Sequence, residues 1–258
     1  MRPYYLFEFC DVTWLPTGIR ECLYEMMESC HSGIRSFNRT TSDAVLATCR
    51  KFGLKTIVEV GAGRAPLTRL LAQSPESGNL TLVPCDLVPN VAVYRSLESQ
   101  YPGKVRPLYD RIDLTQPQPL LRNSLISFVG VMHHIPLELR PAVIASFKNS
   151  DSVIMVDEPL RRTWYSLILA LLSVFVGLWV PIARFRQPGK LRRFFWCWLV
   201  PVAPLCFTWD AIASCLRQWN PDEWRNGLRL AGVADDRSQV VATSNSLSVQ
   251  WSCLSAAR

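Results

Sequence analysis

Ile57-Val58-Glu59-Val60-Gly61-Ala62-Gly63-Arg64-Ala65 is an apolar run that closes on an acidic residue and then on Gly-x-Gly. It reads as a strand entering a glycine-rich turn, with a helix N-terminus behind it. Glycine lets the backbone turn tightly and approach a ligand closely, and the helix start presents free N–H groups. A dinucleotide site needs G-x-G-x-x-G, but the sixth position here is Pro66. Glu59 would also set negative charge beside a pyrophosphate. No lysine follows the glycines, which excludes a P-loop. An acidic residue two positions before the first glycine suits a cationic ligand, such as a sulfonium carrying an ammonium. A strand–turn–helix that binds nothing is the plain alternative.

With acid-x-Gly-x-Gly at 59–63, the chain resembles the class I S-adenosylmethionine (SAM)-dependent methyltransferases. The segments downstream fit that resemblance. Leu80 to Asp86 reads as a second strand ending in a carboxylate, 23 residues beyond Gly63. The family holds both ribose hydroxyls with an acid at this point, a task that suits a carboxylate's two acceptor oxygens. Pro84 departs from a regular strand because it lacks a ladder donor. Val105 to Tyr109 is expected to be a third strand. In the loop after it, Asp113 matches the family's acceptor for the adenine amino group, although a solvated loop aspartate would look the same. The resemblance assigns SAM to Glu59, Gly61, Ala62, Gly63, Arg64, Asp86, Leu87, Asp113, Leu114 and Val131.

Ser124 to Met132 is a near-continuous apolar run, as expected of a strand buried on both faces, and it leads into His133-His134. Ser152 to Pro159 is a fifth strand ending in Asp157-Glu158. Ligands of open α/β sheets bind beyond the carboxyl ends of the strands, which is where Glu59, Asp86, Asp113, both histidines, Asp157 and Glu158 fall. After Trp209, Asn220-Pro221-Asp222-Glu223 carries a capping-box pattern. Val240 to Ala242 and Leu247 to Cys253 make a final antiparallel hairpin around Ser244-Asn245. Trp209-Asp210 to Arg217 and Pro89-Asn90 also resemble segments of a bacterial subgroup of these methyltransferases. Ala211 and Trp219 replace a Gly and a Tyr of that subgroup, which weakens any shared substrate. Asp157, Asp210, Ser214 and Arg217 are the expected substrate-pocket residues, with a capping role for Asp210 and a surface ion pair for Arg217 as the alternative.

The expected fold is a Rossmann-like α/β domain: seven mostly parallel strands with helices on both faces, an N-terminal helical cap and an apolar helical insertion after the fifth strand. The expected division is 1–50 for the cap, 51–160 with 210–258 for the cofactor domain, and 161–209 for the insertion. Thr17 to Cys30 and Thr41 to Cys49 read as the cap helices, the second capped by Thr41, Ser42 or Asp43.

Nine cysteines show no metal spacing and the start lacks a secretory pattern, so reduced cysteines, a cytoplasmic setting and no metal are expected. The formal charge is +7. Seven basic and no acidic residues lie between Pro159 and Trp209. Trp164–Ala183 is an uncharged run of 20 residues, and a second run of 16 ends at Trp209. The first has the length of a bilayer crossing. Seven of the nine tryptophans fall between Trp164 and Trp224, in the manner of an interfacial belt. A single crossing would separate the last strands from the first five. The expectation is therefore a helical hairpin in or dipping into the cytoplasmic leaflet, its arginines on lipid phosphates. A two-pass hairpin and a buried helical cap are the alternatives. Nucleic acid is not an expected partner.

The expected function is SAM-dependent methylation, on oxygen, of a hydrophobic small molecule or lipid-like acceptor, with His133 or His134 as general base. A membrane-docked SAM-binding protein without transferase activity and an NAD-type oxidoreductase are the rival readings.

Overall fold

The structure, a computed structural model, describes residues 3–33, 35–114, 122–243 and 246–254, with the backbone alone considered at 31–33 and 35–39. Its strands are β1 (Thr56–Val60), β2 (Thr81–Cys85), β3 (Leu125–Val129), β4 (Val153–Glu158), β5 (Ser238–Ala242) and β6 (Leu247–Ser252). Its α-helices are α1 (Thr17–Gly33), α2 (Arg35–Phe52), α3 (Pro66–Gln73), α4 (Val91–Gln100), α5 (Arg140–Ser146), α6 (Trp164–Leu172), α7 (Val174–Ala183), α8 (Lys190–Phe194), α9 (Val202–Arg217) and α10 (Pro221–Leu230). The chain divides into two compact units. One comprises Met1–Phe37 with Leu160–Trp219, the other Asn38–Pro159 with Asn220–Arg258. The division differs from the expected one, because the N-terminal segment and the insertion form one body.

The second unit holds the sheet, in the order β2-β1-β3-β4-β6-β5. β1 to β4 are parallel, and β6 runs antiparallel to β4 and β5. Ile57, Leu82, Leu125 and Val153 form one row across the sheet. That row packs with Val45 and Cys49 of α2, Leu67 and Leu71 of α3, and Tyr94 and Leu97 of α4. Residues one position along point to the opposite face, where the Phe128 ring meets Phe147 at 6.0 Å. The capping box forms as read: the Asn220 side chain accepts from the Glu223 N–H, and Glu223 accepts from the Asn220 N–H. The hairpin strands are present, while the expected turn at Ser244-Asn245 lies outside the described residues.

Among the described residues the sheet has six strands, not the expected seven, and is mixed. Val105 to Tyr109 contributes only the isolated bridge Leu82↔Val105. Leu82 donates to the Lys104 carbonyl, and the Arg106 and Leu108 N–H groups donate to the Leu82 and Pro84 carbonyls. The next parallel bond in that series needs an N–H from residue 84, which proline lacks. Pro84 therefore cuts the outer ladder, while the alternate residues 81, 83 and 85 keep the pairing with β1. α2 also starts earlier than expected. Thr41 and Ser42 are buried within it instead of capping it.

In the first unit α1 packs against α7, α8 and α9, and α9 packs against α6 and α7. Leu15, Ile19, Leu23 and Met26 share a core with Val180, Ala203 and Phe207. Gly177 allows α7 to lie on α9, since a Cβ there would fall 2.7 Å from the Pro204 ring.

Candidate functional site

The parallel strands leave β1 in opposite directions: the chain passes from β1 outward to β2, then returns to lay β3 on the other side of β1. A topological switch point of this kind opens a crevice beyond the strand ends. Gly61 (φ +63°), Gly63 (φ +51°) and Ala65 (φ +53°) turn the backbone there. A Cβ at Gly61 would lie 2.7 and 2.8 Å from the Val131 methyls, so Val131 after β3 rests directly on that glycine. A Cβ at Gly63 meets nothing within 4 Å, which marks open space beside the turn.

Asp86, at the end of β2, reaches into the same turn. Its carboxylate accepts from the Gly63 N–H (2.7 Å) and the Val88 N–H (2.8 Å). Each oxygen retains acceptor capacity. The Ile112 N–H donates to the Asp86 carbonyl at 3.0 Å, which brings the loop carrying Asp113 and Leu114 to this edge. Leu87 and Asp113 are exposed, Arg64 and Leu114 are half-buried, and Ala62 is buried with its N–H on the Cys85 carbonyl. The residues assigned to a nucleoside therefore gather at one edge: a carboxylate, the exposed Leu87 and half-buried Leu114, a second acid and an open backbone turn. They fit SAM at its nucleoside end.

Glu59 is the exception. It is 3% exposed, and its two oxygens accept from the Leu67 (3.1 Å) and Thr68 (2.7 Å) N–H groups. Those are orphan donors of the first turn of α3. Glu59 thus caps α3 and fixes the turn that precedes it, with both carboxylate oxygens engaged by α3 amides. Burial lifts its carboxyl to about 7, against the hydrogen bonds from Thr68 and Leu67, which pull it down.

Beyond β3 a short 3-10 turn, Met132–His134, presents the two histidines. They differ in burial and partners. His133 is buried, with Nδ1 2.8 Å from Glu158 Oε2 and its backbone N–H 3.3 Å from Glu158 Oε1. Glu158, at the end of β4, is fully buried. Arg140 of α5 donates to the carbonyls of His133 and Ile135, which fixes the turn from behind. His134 is half-buried and stacks on His133 with ring centroids 4.2 Å apart. Glu158 is the residue that reading the sequence underused. A His-His after one strand and an acid at the end of its parallel neighbour are the available signal, but register decides that they meet. Asp157 points to the opposite face beside Ser248. Burial raises its carboxyl to about 6, with Ser248 opposing and Glu158 adding to the shift. Its Oδ2 is buried without a hydrogen-bond partner.

Asp210, Ser214 and Arg217, expected in a substrate pocket, have partners within the first unit. They lie on α9 in the first unit and bind the N-terminal segment. Asp210 accepts from the Phe9 and Cys10 N–H groups (2.6 and 3.1 Å), so it caps the 3-10 turn Phe9–Asp11. Ser214 donates to Glu8. Arg217, 1% exposed, donates to the Leu6 carbonyl, pairs with Glu8 (3.0 Å) and Asp11 (3.1 Å), and lies over the Tyr5 ring. The acids are remote in sequence, so the segment around 210 reads as unpaired when viewed alone.

No family model and no curated protein matches the chain in sequence. Solved structures do match in fold. The methyltransferase domain of the bacterial protein CtHen1-CN aligns over 83% of this chain and 98% of its own, with a TM-score of 0.51 and 10% identity. A putative O-methyltransferase from Nostoc punctiforme aligns over 96% of this chain with a TM-score of 0.53 and 9% identity. This is the class I methyltransferase fold. The SAM-dependent methyltransferase SibL aligns over 87% of this chain, with a TM-score of 0.51 and 14% identity. The chain spans 64% and 58% of the Nostoc protein and SibL. In this methyltransferase fold the β1/β3 switch point and the edge just described coincide with the glycine motif.

Proposed function

We propose that this chain is a SAM-dependent methyltransferase that methylates an oxygen of a hydrophobic small molecule or lipid-like acceptor. One observation carries the reading: the Gly61–Gly63 turn, the Asp86 carboxylate and the loop of Asp113 converge at the switch point of the sheet. Asp86 would accept from the ribose hydroxyls, Leu87 and Leu114 would flank the base, and Asp113 would accept from its amino group. Val131 would border the methyl-transfer end. Glu59 acts at one remove by holding α3 and the turn. When bound, SAM supplies an electrophilic methyl group on a sulfonium.

The chain's own residues then have to align the acceptor, exclude water and take its proton. Glu158 accepts from the backbone N–H of His133. The same carboxylate favours the tautomer in which His133 Nδ1–H donates to it, and Nε2 then carries the lone pair that a base needs. We assign His133 as that base and Glu158 as its positioning residue. The nine free cysteines support a reducing, cytoplasmic setting.

Calorimetry with S-adenosylhomocysteine tests the cofactor site, and labelled SAM with a hydrophobic extract tests transfer. Binding together with a labelled hydrophobic product is expected. No affinity overturns the assignment. Tight binding with no turnover on any extract favours a SAM-binding protein without transferase activity.

A further inference from the structure

The insertion was expected to meet lipid through its arginines, and the first unit's own packing removes most of them from that role. Arg193 is fully buried, donates to the carbonyls of Arg184, Gln187 and Pro188, and pairs with Glu25. Arg192 pairs with Glu25, and Arg184 with Glu28. Arg162 is buried on the Gln218 carbonyl. The acids that balance the insertion come from α1. In the span 184–193 this leaves Arg186 and Lys190 exposed.

The apolar side chains show the reverse pattern. Along α6 and α7, Ser166, Ala170, Gly177, Val180 and Pro181 face inward. Trp164, Ile168, Leu171, Phe175, Trp179 and Ile182 recur at helical spacing and face outward. Trp164 is 70% exposed and Trp179 60%. The outward stripe runs about 30 Å at 1.5 Å per residue, and no charged side chain interrupts it between Trp164 and Ala183. Protein docking surfaces carry a polar rim and hydrogen-bonding groups; this stripe offers only the indole N–H groups of Trp164 and Trp179, one near each end, with the exposed Tyr165 hydroxyl beside the first, the amphipathic side chains that sit at a membrane interface. A helix apolar on its outer as well as its inner faces fits hydrocarbon. The two ends of the insertion also lie together, since Cys215 approaches the Arg161 carbonyl at 2.8 Å beside the Arg162–Gln218 contact. The hairpin therefore starts and finishes on one side. Its far turn holds the ion-paired cluster with Glu25 and Glu28, and charged α1 lies along it.

We infer that the first unit docks on a bilayer surface by laying the α6–α7 stripe into one leaflet, driven by apolar burial, with Arg186 and Lys190 as its only basic contacts in the span 184–193. This holds whether or not the other unit transfers methyl groups. Flotation of the purified full chain on vesicles is the test. Binding to pure phosphatidylcholine vesicles is expected, with persistence in 0.5 M salt, a round assay condition of about a 4 Å screening length. Adding phosphatidylserine should strengthen partitioning by at most ~30-fold, since two basic residues each add roughly 5-fold near an anionic surface. The pair F175E/W179E alters exposed positions and should abolish flotation while circular dichroism stays unchanged. Binding only to anionic vesicles, or salt-reversible binding, overturns the proposal. Failure to float on either vesicle, or a stripe-mediated dimer that W179E dissociates, also overturns it. S-adenosylhomocysteine calorimetry on the same sample reports the cofactor site separately.

Discussion

Replacing Glu59 by Gln tests the assignment of a buried helix-capping carboxylate. Its folded carboxyl titrates at about 7 against an ordinary 4.5, because burial outweighs the amide hydrogen bonds. A raised acid pKa means that the folded state holds the proton more tightly than the unfolded state. The stabilisation is complete below about 4.5, declines as pH rises toward 7, and is gone above it. At 1.36 kcal/mol per pKa unit, the shift is worth about 3 kcal/mol. Glutamine does not titrate, so the wild-type minus E59Q stability difference should fall by about 3 kcal/mol between pH 4.5 and 8.5. A constant offset of about 1–3 kcal/mol is expected on top, because one amide N–H of α3 then faces an NH2 group. Urea unfolding of both proteins across that pH range measures the difference, and groups common to both, such as Asp157, cancel. A difference that stays flat with pH would refute the balance of burial over capping.

Replacing His133 by Ala should lower turnover by ~10²-fold or more if it is the base, with E158Q lowering it less and shifting the pH profile. H134A should be mild; undiminished turnover in H133A would reject the assignment. G61A places a Cβ 2.7 Å from Val131 at φ +63°, and such backbone strain costs about 1–3 kcal/mol. A lower melting temperature and weaker S-adenosylhomocysteine binding are expected, with only partial relief from V131A. R217A leaves buried Glu8 without its guanidinium, a loss of roughly 3–5 kcal/mol. Limited proteolysis should then cut within residues 5–11, while affinity for S-adenosylhomocysteine is retained. An uncut segment would contradict the clamp.

The local elements were legible in the chain alone. The Glu59–Ala65 motif, the apolar runs leading to Asp86, His133 and Glu158, and the capping box at Asn220 each depend on neighbours a few residues apart. Those neighbours set strand period, turn geometry and helix start. The uncharged run at Trp164–Ala183 was equally legible. Tertiary structure decided what each polar group faces. Glu59 turned to the α3 amides, Glu158 found His133 across two parallel strands, and Arg217 and Arg193 found acids in the first 28 residues. Pro84 belongs to both levels: its missing donor is visible in the sequence, but only the pairing shows that the backbone nitrogen of residue 84 faces the outer edge of β2, where it cuts the ladder to Val105–Tyr109. Burying a charge or an amide is costly unless a partner meets it, and the chain supplies those partners from distant segments. Charge balance read along a window therefore leaves out the acids of α1 that pair the insertion's Arg184, Arg192 and Arg193.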